Sequence, residues 1–231
     1  MFFDYCQFEG LWYNETGDQM KNILKPYSTV LFQGDSITDC GRNKETGADL
    51  GQGYPAKIAA LWEILFPQSV RFINRGISGN RIGDLLGRYE KDFRDLKPDL
   101  ISIMIGINDT WRRYDKNDPT GAGVFEERYR TLLINLKRDL PKAAIVIIEP
   151  FLLSSKPERD VWREDLDPKI QAIRGLAKKY ADFYVPMDGI LTHYAVQGTS
   201  ETDMAADGVH PTPMGHGIIA SEWLRCLGEG R

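Results

Sequence analysis

Apolar residues along this chain fall into short solid runs separated by longer stretches in which they recur every third or fourth position. The solid runs are 29–32, 70–74, 100–105, 144–148 and 183–185. Each is short, rich in Val, Ile, Leu and Phe, and bounded by Gly, Pro, Asn or Asp, which predicts β-strands. The third, Leu100-Ile101-Ser102-Ile103-Met104-Ile105, is apolar almost throughout, as in a sheet covered on both faces. Helices are predicted between them. Ile58, Leu61, Trp62 and Leu65 share one face of 55–66, and Leu85, Leu86, Tyr89 and Phe93 share one face of 81–93. A long amphipathic helix is expected over 124–140. Another is expected over 160–180, kinked or restarted at Pro168. The last begins near Pro213 and carries Ile218, Ile219, Trp223 and Leu224. The Gly-rich stretch 41–53 and the polar stretch 111–123 read as surface loops, and 189–207 as loop or broken helix.

Strand and helix thus alternate from end to end, which is the rhythm of a parallel sheet with crossover helices. The expected fold is α/β: a single-domain three-layer α/β/α arrangement with a five-stranded parallel sheet, flavodoxin-like, built from right-handed crossovers. Residues 28–231 form that domain. Residues 1–27 are an aromatic N-terminal arm with Phe2, Phe3, Tyr5, Phe8, Trp12 and Tyr13. Such a cluster has to cover something, either its own domain or a neighbouring subunit, so a homo-oligomer is open.

Composition narrows the picture further. The 231 residues are 42% hydrophobic and 27% charged, ordinary for a globular chain able to bury a sizeable core. A net charge of −4 favours neither nucleic acid nor an anionic membrane, and no apolar run is long enough to span a bilayer. The first residues have an early acid and no basic region, so they do not read as a secretory signal. The three cysteines, Cys6, Cys40 and Cys226, are scattered and suit a reducing compartment. A cytoplasmic location is the expectation. No cluster has metal-ligand spacing and no Gly-rich loop matches a phosphate or dinucleotide fingerprint, so neither metal nor cofactor is expected.

In a parallel sheet all strands end on one edge, where ligands bind. The first strand ends in Gly34-Asp35-Ser36, the second in Gly76-Ile77-Ser78-Gly79-Asn80, and the third in Gly106-Ile107-Asn108-Asp109. Asp207-Gly208-Val209-His210-Pro211 precedes the last helix. Any one of these is an ordinary turn. Together they are the parts of acyl transfer. Ser36 is a nucleophile once a base takes its proton, and His210 can be that base. Asp207 can orient the imidazole, though it equally suits a cap for the last helix. The backbone N–H groups of Ser36 and Gly79 and the Asn108 amide can form an oxyanion hole. Asp35 is expected to brace the turn that presents Ser36. His193 and His216 are rival bases, but neither has an acid three residues before it.

With these blocks in order, the chain resembles the SGNH hydrolases, the GDSL-type esterases. The blocks are Gly34-Asp35-Ser36-Ile37-Thr38, then Gly79, then Gly106-x-Asn108-Asp109, then Asp207-x-x-His210-Pro211, with Ile37 where the family name has Leu. The resemblance covers about 30–227 and implies a Ser36–His210–Asp207 triad with Ser36, Gly79 and Asn108 as oxyanion donors. The strings 34–42 and 105–112 are similar to those of bacterial acetylxylan and acetyl-xylooligosaccharide esterases. That implies removal of short acyl groups, chiefly acetyl, from a small-molecule carbohydrate ester, with no nucleic-acid or membrane partner. Trp111 and Arg112, followed by Arg113 and Tyr114, are candidates for substrate contact as well as for a solvated loop. A lysophospholipase or thioesterase with the same triad, or a non-catalytic carbohydrate-binding relative, are the alternatives.

Overall fold

In a computed structural model, residues 29–65 and 67–228 are described. The aromatic arm, Cys6 and Phe66 lie outside them. Five strands form one parallel sheet in the order β2-β1-β3-β4-β5. They are β1 Thr29–Gly34, β2 Arg71–Asn74, β3 Leu100–Met104, β4 Ala144–Ile148 and β5 Phe183–Val185. The strand order reverses at β1, so the ends of β1 and β3 flank the switch point where a crevice opens.

Period-two alternation sorts the β1 side chains. Val30 and Phe32 point into one core with Tyr54, Ile58, Trp62, Ile219 and Trp223. Leu31 points into the other with Ile82, Leu85, Phe125, Tyr129 and Leu133. Helix α2 (Tyr54–Leu65) and the last helix therefore cover the first face, and the helix Ala122–Asp139 covers the second. On α2 the buried stripe is Tyr54, Ile58 and Trp62. Leu61, expected on that stripe, is 39% exposed because it lies between the i, i+4 positions that meet the sheet.

Four other expectations change. The segment 81–93 is two helices, α3 (Ile82–Gly87) and α4 (Tyr89–Asp92), broken at Arg88, whose φ of −113° and ψ of 16° are not helical. The stretch read as a loop from 111 belongs to a helix, α5 (Ile107–Asp115). Ile107, Trp111 and Tyr114 stand at i, i+4 and i+7 and pack into the core, a helical spacing hidden among charged neighbours. After α6 (Ala122–Asp139), α7 (Arg163–Tyr180) runs unbroken through Pro168. Both Pro168 and Glu164 are exposed, so the carbonyl of Glu164 that loses its N–H partner lies on the solvent side. The segment from 189 is mostly helix: α8 (Met187–Val196), which carries His193, and α9 (Glu201–Met204) precede α10 (Pro213–Gly228).

Helix α10 also braces the Ser36 end of the sheet. His216 is 4% exposed, and its Nδ1 accepts the N–H of Tyr54 at 3.1 Å. Its Nε2 therefore carries the proton and donates to Cys40 Sγ at 3.3 Å. Both nitrogens are engaged, so His216 is a packed residue rather than a base. Burial pushes it down to about 4, below its ordinary value of about 6.5. Its contribution to stability is present above pH 6.5 and is lost as pH falls towards 4, because only the unfolded chain takes up the proton in that window. The melting temperature of His216→Gln should accordingly fall less than that of the wild type between pH 7 and 4. Parallel falls in the two proteins would refute this role.

Candidate active site

Ser36 opens α1 (Ser36–Asp39), one turn beyond β1. The turn forms because Asp35 caps it: its Oδ1 accepts the N–H of Ile37 at 3.0 Å. It is tight enough that a Cβ on Gly34 would come within 2.3 Å of Thr38 Oγ1 and 2.4 Å of Met104 O, so only glycine fits. Asp35 is buried, and burial pushes its carboxyl up to about 7 against the hydrogen bond from Ile37.

Across the crevice stands the turn Asp207-Gly208-Val209-His210. Val209 is fully buried and pins the turn to the core, and the N–H of Leu153 donates to Gly208 O at 2.9 Å. Asp207 Oδ1 accepts the N–H of Val209 at 3.0 Å and of His210 at 2.7 Å. Asp207 thus builds its own turn and does not cap α10. Its Oδ2 lies 2.9 Å from His210 Nδ1, and His210 Nε2 lies 3.0 Å from Ser36 Oγ. A carboxylate only accepts, so Nδ1 donates to Asp207 and Nε2 is left to accept the Ser36 hydroxyl proton. Burial works to raise Asp207, but the His210 ring and the two backbone N–H groups outweigh it and hold the carboxyl well below its usual range. The hydrogen bond to Asp207 in turn raises His210 above 6.5, with burial opposing it. A hydroxyl, an imidazole and an ionised carboxylate in this line can activate an oxygen nucleophile.

The three expected oxyanion donors sit on the turns after β1, β2 and β3, and side chains tie those turns together. Asp39, at the end of α1, accepts both the N–H and the Oγ–H of Ser78 at 2.9 Å. That holds the Ser78-Gly79 turn against the helix that presents Ser36. Gly79 has φ of +85° and open space around its Cβ position, so backbone conformation, rather than crowding within the protein, asks for glycine here. Asn108, in the first turn of α5, donates through Nδ2 to Asn80 O at 3.2 Å, and Arg112 Nη2 donates to its Oδ1 at 3.3 Å. These two bonds fix which end of the amide is the donor. Asp109 Oδ2 accepts the N–H of Ile82 at 3.1 Å, a further tie between the β3 and β2 turns. Burial pushes Asp109 up to about 7.

Trp111 and Arg112 divide. The Trp111 ring lies 5.6 Å from that of His210 and borders the site. Arg112 is engaged with Asn108 and Asp115, which places it behind the Asn108 amide. Asp39 lies in the string 34–42 but nothing there assigns it a role, and Arg159, which contacts Asp207, has no motif to mark it in the sequence. Among the described residues no three His, Cys, Asp or Glu gather as metal ligands.

Residues 32–218 match the GDSL-like lipase/acylhydrolase family. The chain belongs to that family. It is a carboxylic ester hydrolase, and relatives extend the likeness over most of its length. An acetylxylan esterase of Geobacillus stearothermophilus is 36% identical over 208 residues, 86% of this chain and 93% of the relative. The crystal structure of Axe2, an acetylxylan esterase from the same organism, superposes with a TM-score of 0.78 at 34% identity, covering 87% of this chain and 94% of that one. LAE5, an alpha/beta hydrolase from the metagenome of Lake Arreo, gives 0.77 at 31% identity, covering 87% and 95%. Two solved forms of Axe2, one with a serine and one with an aspartate replaced by alanine, are catalytic mutants. The parallel sheet and its flanking helices are therefore the SGNH hydrolase fold.

The tie through Asp39 can be tested directly. Asp39→Ala should leave Ser36 open to fluorophosphonate labelling yet lower kcat on p-nitrophenyl acetate by up to about 10²-fold, because a donor displaced by about 1 Å is enough for that. A wild-type kcat in this variant would show that the Gly79 turn holds its place without Asp39.

Proposed function

We propose that the protein hydrolyses short-chain acyl esters, chiefly acetyl esters, of carbohydrates through a Ser36–His210–Asp207 triad and a covalent acyl-enzyme. The observation that carries the mechanism is the unbroken line from Ser36 Oγ to His210 Nε2 at 3.0 Å and from His210 Nδ1 to Asp207 Oδ2 at 2.9 Å. The carbohydrate reading rests on the acetylxylan esterase relative and on a site open at its surface, with the His210 side chain 45% exposed. An open site leaves room for a bulky sugar alcohol behind a small acyl group.

Ser36 Oγ attacks the ester carbonyl as its proton passes to His210 Nε2. The imidazolium that forms is stabilised by ionised Asp207. Negative charge develops on the carbonyl oxygen, which lies against the N–H of Ser36, the N–H of Gly79 and the Asn108 amide. Collapse breaks the bond to the alcohol, which leaves with the proton from His210. Water then gives its proton to His210, attacks the acyl carbon, and the acid departs as Ser36 Oγ is reprotonated. Donors held by Asp39, Asn80 and Arg112 do not need to reorganise as the charge appears, and that preorganisation is the main electrostatic contribution.

Initial rates on p-nitrophenyl esters from acetate to decanoate, beside a peracetylated xylose, test the substrate class. Rates that fall beyond acetate, extend to the sugar and vanish in Ser36→Ala are the expected result. A preference for long chains would move the substrate to lipids or thioesters. Loss of one oxyanion donor lowers kcat by about 10²–10³, so Asn108→Ala should fold normally and lose that much activity. A normal kcat would remove Asn108 from the hole.

The pH profile gives an independent check. His210 must be neutral to act as a base, and Asp207 holds its pKa above the ordinary 6.5. Values of kcat/KM should therefore rise with pH, with the acid limb centred above 6.5. A profile flat from pH 5 to 8 would exclude His210 as the titrating base.

A further inference from the structure

Arg159 lies in the 3-10 segment Pro157–Trp162 that follows β4. Its guanidinium stands 4.6 Å from the centroid of Trp111 and 5.0 Å from that of Trp162, resting against both indoles, whose own centroids are 5.2 Å apart. A planar cation held by two rings has little freedom to rotate. From this position Nη1 donates to Asp207 O at 2.6 Å and to Asp207 Oδ2 at 3.3 Å. Oδ2 is also the oxygen that accepts His210 Nδ1–H, and Trp111 in turn lies beside the His210 ring. Arg159, Trp111, His210 and Asp207 therefore close a ring of contacts. Within it, Arg159 is the group that reaches the acid from outside its own turn.

We propose that Arg159 is a positioning residue for ester hydrolysis: resting against Trp111 and Trp162, it holds the Asp207 carboxylate and main chain where His210 meets Ser36, and shares the carboxylate's charge with His210. The proposal rests on the triad reading above. Its first consequence is geometric. The bonds from Val209 and His210 are local to the turn and shape it, whereas the bond from Arg159 fixes where the acid stands relative to the β4 loop.

The second consequence is electrostatic. The charged and titratable groups facing His210 are Asp207 and Asp35, which favour its protonation, and Arg159, which opposes it; the packed His216 is neutral in this range. Removing the guanidinium charge leaves the two carboxylates less opposed. His210 then keeps its proton to higher pH, and the base form appears later on the alkaline side.

Two variants separate these effects. Arg159→Gln keeps a donor for Asp207 but removes the charge, so its kcat/KM acid limb should move to higher pH. Arg159→Lys keeps the charge but loses the planar stack, so its limb should stay near that of the wild type while plateau kcat falls about tenfold or more. In both variants KM for p-nitrophenyl acetate should be little changed, because the residue acts on Asp207 and not on the substrate. His210→Ala is the control for the underlying reading. If it retains activity, the triad reading itself fails. If it is inactive while Arg159→Gln keeps the wild-type limb and Arg159→Lys the wild-type kcat, only the role of Arg159 fails. A change confined to KM would likewise overturn the proposal by making Arg159 a substrate contact. Should Arg159→Gln not fold, the split between kcat and KM in Arg159→Lys decides alone.

Discussion

The Asp39 carboxylate, buried at the end of a four-residue helix, joins the turn that carries Ser36 to the turn that carries Gly79. In the proposed reaction three loops that follow three different strands converge on one ester carbonyl, and nothing in a parallel sheet draws its loops together. Strands sit about 4.8 Å apart, but the loops beyond them are free to splay. Side-chain bonds close that gap here. Asp39 reaches the β2 turn from β1, Asn108 reaches Asn80 from β3, and Asp109 reaches the N–H of Ile82. Burial makes each of these ties worth more than the same bond in water, and makes losing one partner expensive.

Buried titratable groups lie around the same crevice. Asp35 and Asp109 are both buried and both pushed up to about 7. Lys169 is fully buried and bonds to Asp165 and to Thr110 on α5, beneath the helix that presents Asn108. The floor of the site is thus polar and tightly connected, while its outer wall is aromatic, with Trp111, Trp162 and Tyr114 packed in series. Rigid polar support below and indole and phenol rings above suit a centre that must hold donors still and admit a ligand from solvent.

Three of the motif blocks were legible because they follow strands, which are marked by apolar runs, and the fourth because it immediately precedes the last helix. Ser36, Asn108 and His210 could each be placed at the sheet edge from the chain alone. Helix α5 was hidden for the opposite reason: its three apolar contacts are spaced among Asn, Asp, Thr and two arginines, so local polarity outweighs a weak period. The packing of α5 against Trp162 and α7, residues 47 or more positions away, stabilises it. Arg159 was illegible in a stronger sense, because a lone Arg in a loop is a common surface feature, and Asp39, although inside the string 34–42, showed no sign there of the bond it makes to Ser78.

Length, alternation and the four ordered blocks by themselves determined the fold class, the membership of an esterase family and the residues at the sheet edge. These follow from side-chain periodicity and from residue types that a given chemistry requires, both of which are local. Only the tertiary structure decided that His216 is a brace and His210 faces the serine, and that Arg112 supports Asn108. It likewise showed that Arg159 bonds to Asp207. Each of those assignments depends on distances between side chains, some from residues as far as 176 positions apart in the chain, and no one-dimensional pattern carries such a distance.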